Sequence, residues 1–153
     1  MLRTSVAVLL LVGALPAWAA EPIIGTWKMT KQEVNGQAVQ GDALILRVRD
    51  LNNQVEFAYS TPINDVYFVG TKFTVKLDGS PGDVTDSKGN KVGAVKISKS
   101  GNSAYKITLT GANRPAATGT MTVSADGKTL VSESDATVPG KGNNHARQEF
   151  TRY

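Results

Sequence analysis

The sequence predicts an all-β protein, an antiparallel up-and-down meander closed into a barrel of about 8–10 strands. Three observations predict it. Short segments alternate apolar and polar residues. Gly, Asn, Asp and Pro break them at close intervals. No long run carries a helical period. Closing the meander removes the exposed edges that invite aggregation.

The first segment is not part of that domain. Met1 to Ala19 reads as a cleavable secretory signal. Arg3 supplies the positive start, Val6–Leu15 the apolar stretch, and Ala17-Trp18-Ala19 the small-x-small cleavage site, so the cut is placed after Ala19. The apolar stretch is too short to span a bilayer, and nothing later is apolar enough to do so. Residues 20–153 then form one domain, long enough to bury a core without staples. The expected destination is secreted or periplasmic.

The strands are read near Ile24–Glu33, Ala43–Arg49, Gln54–Ser60, Thr71–Leu77, Val92–Ser98, Ser103–Thr110, Ala117–Ser124, Thr129–Asp135 and His145–Arg152. Asp65–Val69 is a short extra strand or a helical turn, which periodicity cannot decide. Lys76–Lys91 and Thr137–Asn144 read as loops. Three hairpins can be registered by hand. Around Asp50–Asn53, Val48 faces Val55, Leu46 faces Phe57, and Arg47 meets Glu56 outside. Around Ser100–Asn102, Ile97 meets Tyr105, Val95 meets Ile107, and Lys96 meets Lys106 outside. Asp126-Gly127 is read as a type I′ turn, with Val123 opposite Leu130 and Thr122 opposite Val131. The inward face then carries Trp27, Met29, Leu44, Leu46, Val48, Val55, Phe57, Tyr59, Phe73, Val75, Leu77, Val95, Ile97, Tyr105, Ile107, Leu109, Met121, Val123, Leu130 and Phe150.

Most conventional chemistry is missing. The chain has no Cys, which excludes thiolate nucleophiles, a lipid-modified cysteine and sulfur-ligated metal. His145 is the sole histidine, set at a loop-to-strand junction, and no serine and carboxylate are placed to make a triad with it. Asp78, Asp83 and Asp86 fall in one segment but lack the ligand spacing of a calcium loop, and turn chemistry explains them as well. No phosphate cradle, metal set or cofactor motif stands out. Without Arg3 the chain holds 16 Lys and Arg against 13 Asp and Glu, a net charge of +3. That is mild and spread along the chain, so no nucleic-acid footprint is present. Lys88, Lys91, Lys96, Lys99 and Lys106 read as a solvated face.

Gly25-Thr26-Trp27 opens the first mature strand, and Arg152 shares a face with Phe150 on the last. This pattern resembles the lipocalin and wider calycin superfamily. A closer likeness, to small secreted bacterial proteins of unknown function with lipocalin-like barrels, rests on Gly25-Thr26-Trp27-Lys28, Asp78-Gly79, Ser124-Ala125-Asp126-Gly127-Lys128-Thr129, Gly140-Lys141 and Arg147–Tyr153. It departs from many lipocalins in lacking a cysteine pair and a helix after the last strand. The resemblance implies a barrel in which Gly25 and Trp27 close one end and Arg152 packs over the indole, with Arg147, on the opposite face, the second choice.

The inward face also holds the candidate ligand lining: Leu46, Phe57, Tyr59, Phe73, Ile97, Tyr105 and Met121. These residues either line a site for a small, mostly apolar molecule or simply fill a core. The leading expectation is a non-enzymatic barrel that binds such a ligand. The alternative is a protein-binding module with a filled core, such as an inhibitor of a secreted hydrolase, using the two loops as contacts. No cofactor or metal is expected.

Overall fold

The computed structural model describes residues 21–40, 43–63, 66–111, 114–140 and 142–153, so the proposed leader lies outside it. The strands in chain order are β1 (Gly25–Val34), β2 (Gln37–Ala38), β3 (Ile45–Asp50), β4 (Val55–Ile63), β5 (Val66–Val75), β6 (Asp78–Asp86), β7 (Lys91–Lys99), β8 (Ala104–Gly111), β9 (Arg114–Val123), β10 (Thr129–Val138) and β11 (Gly142–Arg152). Each strand from β3 to β11 pairs antiparallel with the next, β1 pairs with β3, and β1 also pairs with β11. The result is a closed ten-stranded antiparallel barrel, with no helix among the described residues. β2 is a two-residue flap folded back on β1.

Closure rests on two different seams. Between β1 and β11 the ladder runs from Trp27 opposite Arg152 to Val34 opposite Ala146. Its outer side is fastened by charge. Arg147 meets Glu133 at 3.1 Å and also Glu149, while Lys31 meets Glu33 at 2.8 Å. Such a network on adjacent strands favours this register over slipped ones more than it adds stability. The β5–β6 seam is thin, with only Thr71–Asp86, Lys72–Thr85 and Phe73–Val84 in register.

β6 corrects the sequence reading most. The Lys76–Lys91 segment is not a loop. Asp-Gly-Ser-Pro-Gly-Asp has low strand propensity, yet it forms a strand because β5 and β7 would otherwise leave open edges. Likewise Thr137–Asn144 is mostly strand, and β10 and β11 stay paired out to Val138 opposite Gly142. Asp65–Val69 divides differently again: Val66–Val69 opens β5, and Asp65 lies outside the described residues.

Two hairpin registers are also corrected, each by two residues. Val48 pairs with Phe57 and Leu46 with Tyr59, so Glu56 meets Arg49 and not Arg47. Ile97 pairs with Ile107, Val95 with Leu109, and Lys96 with Thr108, which removes the Lys96–Lys106 contact. Val123 opposite Leu130 and Thr122 opposite Val131 are found as read. Their turn is not type I′, however, since only Gly127 has a left-handed backbone (φ 69°). Asp126 instead accepts hydrogen bonds from the Ser124 hydroxyl at 2.6 Å and the Lys128 amide at 3.0 Å. The type I′ pair is Asn35-Gly36, with φ of 53° and 76°, which makes the β1–β2 hairpin.

Candidate functional site: the open half of the barrel

Every residue assigned to the inward face by alternation lies in one continuous apolar cluster or packs against it. The cluster does not fill the barrel evenly. Phe57, Tyr105, Leu46, Ile97, Met121, Leu130 and Phe150 are fully buried toward one end, around Trp27. Phe57 stacks on Phe73 at 4.9 Å between ring centroids. This half is a filled core.

The segment before β1 makes its floor. Ile23 is fully buried, and its carbonyl accepts a hydrogen bond from the Trp27 indole at 2.9 Å. Arg152 lies over the Trp27 ring, 4.2 Å from its centroid, while its guanidinium donates to the carbonyls of Pro22 (2.8 Å), Ile24 (2.9 Å) and Gly127 (2.6 Å). Gly25 sits under that guanidinium with φ of 148°, where a Cβ would collide with Arg152. Arg147 points away, into the outer charge network. Glu21 completes the floor. It accepts hydrogen bonds from Lys99 Nζ at 2.6 Å and the Tyr105 hydroxyl at 2.7 Å.

Burial alone would raise the Glu21 carboxyl, but the hydrogen bonds from Lys99 and Tyr105 and the Lys99 charge outweigh it and hold the group below its ordinary value. A depressed folded value stabilises the fold above the unfolded value, and that contribution disappears as pH falls through the folded one. Glu21→Gln is therefore expected to lower the urea midpoint at pH 7, and the gap from wild type should close as pH falls below about 4. Urea titrations at pH 7 and pH 3 check this.

The other half is built differently. Past the filled core the inward positions are small or uncharged. In one lateral row Gln32 pairs with Gln148, and Gln148 with Ser132, next to Met121. In the row above, Val34, Ala146, Ser134 and Gly119 are neighbours. Apart from the buried Met121, all are partly reached by solvent, and the outward Thr118, Thr120, Asp135 and His145 are exposed. A ten-stranded ring is wide enough that inward residues of this size can leave room for a small molecule. Gly119 has a second reason to be glycine: a Cβ there would run into the backbone of Glu133 and Ser134, so the strand can bend only with glycine. Across the interior stands Tyr59, tilted against Phe73 at 6.3 Å. Desolvation pushes its hydroxyl up to about 12, so it stays protonated at neutral pH.

The open end also carries an apolar rim. Val39, Val66, Phe68, Val69 and Val92 are exposed around it. Two broad surface depressions, one around Leu51 and Lys76 and the other around Val92 and Thr110, are open to solvent and enclose nothing.

Of the lining residues proposed from sequence, Leu46, Phe57, Phe73, Ile97, Tyr105 and Met121 are buried in the apolar cluster, and Tyr59, partly buried, packs against it. Gln32, Gln148, Ser132 and Ser134 escaped the sequence reading because a search for apolar side chains passes over inward polar ones. The signal was present in the alternation, since each stands an even number of residues from a core residue on its strand or from the bulge that shifts β1 by one after Met29.

The remaining candidates resolve as local structure. His145 Nδ1 is 2.9 Å from Asp135, on the outer face, and no serine hydroxyl contacts it among the described residues. Asp86 caps its turn through the amides of Lys88 and Asn90, Asp78 caps Ser80, and Asp83 pairs with Lys91 at 2.6 Å. Among the described residues no group of His, Asp and Glu is placed to hold a metal ion, and no helix is long and apolar enough to cross a membrane.

No protein-family model matches the sequence, and no curated protein matches it. Solved structures do. The zebrafish ileal bile acid-binding protein complexed with cholic acid superposes with a TM-score of 0.60 at 16% identity, covering 86% of this chain and 99% of that one. The protein EF1p2_mFAP2b bound to DFHBI gives a TM-score of 0.45 at 12% identity over 88% of this chain and 97% of that one. At such identities the first likeness shows the β-barrel fold alone, and the second carries no argument.

Proposed function

We propose that this is an exported, non-enzymatic binding protein that holds a small, mostly apolar molecule in the open half of its barrel. One observation carries the reading: on β7, β9, β10 and β11 the inward side chains change from large and buried, such as Ile97, Met121, Leu130 and Phe150, to smaller or polar and partly solvent-reached, such as Gly93, Gly119, Ser134 and Ala146. A barrel needing only a stable core gains nothing from small and polar inward residues on these strands, because each methylene left out forfeits burial of about 0.8 kcal/mol. The apolar rim gives a ligand of this kind its first contact. The bile acid-binding neighbour shows that a barrel of this form can hold a small amphiphile. The Met1–Ala19 leader supports a secreted or periplasmic location, where a carrier for poorly soluble molecules has work to do.

A ligand panel tests it. Purified protein titrated with long-chain alcohols, amides, sterols and aromatic apolar dyes should bind at least one at micromolar concentration, read by calorimetry. Trp27 is the sole tryptophan once the leader is gone, so any emission change is assignable. No binding by any of these classes at high micromolar concentration overturns the proposal.

A further inference from the structure

We infer that the open half selects uncharged ligands, molecules with an apolar body and a hydroxyl or amide group, over carboxylates and other anions. This rests on the binding reading above and adds the chemical class. The argument comes from where the charges stand. Arg147 faces outward to Glu133 and Glu149. Lys99 is at the sealed floor, on Glu21. Arg152 is beyond that floor, on Trp27. Lys91 is tied to Asp83. Among the described residues the register puts no cationic side chain on the inner wall of the open half; Lys88 is exposed in the β6–β7 turn at the mouth, beside Asp86, whose carboxylate would repel an anion.

The polar groups that do face inward are uncharged and lie deep. Gln32, Gln148 and Ser132 form a lateral row directly above the row of Met29, Phe150 and Leu130, which is the roof of the filled core. Amides and hydroxyls offer donors and acceptors together, and that suits an alcohol or amide, which also does both. A carboxylate placed there would leave water with no countercharge, and burying an unpaired ion is far costlier than burying a hydrogen-bonded neutral group. An acid bound the other way round, head out, would leave the deep amides unpaired, and a site built to hydrogen-bond discriminates strongly against a ligand end that cannot.

The test is a matched series with one alkyl chain: decanol, decanamide and decanoate titrated into the purified protein at pH 8 by calorimetry. Decanol and decanamide should bind at least about tenfold more tightly than decanoate. Gln148→Lys, which adds a cation to the deep row at a solvent-reached position, should reverse the order toward decanoate, while Gln148→Met should weaken decanamide and leave decanoate unchanged. Decanoate bound as tightly as the alcohol by the unsubstituted protein overturns the inference and leaves the binding reading standing. Binding of none of the three, with the wider panel also silent, removes both.

Discussion

Replacing Trp27 with alanine is expected to destabilise the protein by about 3–5 kcal/mol, the largest effect of any single truncation in the barrel. The ring is fully buried where β1 pairs with both β3 and β11. Its loss opens a cavity at the floor, leaves the Ile23 carbonyl without its donor, and strands the Arg152 guanidinium. Arg152→Ala should cost less, about 1–2 kcal/mol, since the Trp27 packing survives and only the stacking and the bonds to Pro22, Ile24 and Gly127 are lost. Urea titrations of the two variants give the comparison. The double variant should fall short of the summed single effects, because the stacking is counted in both. A Trp27→Ala protein as stable as an exposed-site variant would show that the floor does not hold the barrel together.

Ser134→Trp is expected to weaken ligand binding by roughly 100-fold or more, about 2.7 kcal/mol, with the urea midpoint little changed. Ser134 faces inward in the open half, between Ala146 on β11 and Gly119 on β9. Those neighbours are among the smallest residues, so an indole projecting from this position meets no large side chain beside it on β9 or β11 and occupies the space proposed for the ligand. Thr118→Trp, on the exposed outward face of β9, is the control and should bind as wild type does. Full binding by a folded Ser134→Trp protein would place the ligand elsewhere.

These experiments depend on features the sequence showed unequally. Alternation assigned faces correctly, from Trp27 to Phe150, and put Arg152 on the inner side and Arg147 on the outer. It could not fix register at the Asp50–Asn53 and Ser100–Asn102 turns, because a slip of two residues preserves every face. Loop length alone sets that choice, and Arg49–Glu56 against Arg47–Glu56 is the measurable difference. β6 was illegible for another reason. Its Pro81, Gly79 and Gly82 oppose strand formation locally, and the edges of β5 and β7, which it covers, induce it.

The order and inward face of most strands therefore lie in the local pattern of side chains, where a period of two suffices. Which inward positions are packed and which leave room does not. Each lateral row of the interior draws on strands far apart in the chain, such as Gln32 beside Gln148 or Val34 beside Ala146. Crowding at Trp27 and space at Ser134 are properties of rows, and rows exist only once β1 has met β11 and closed the ring.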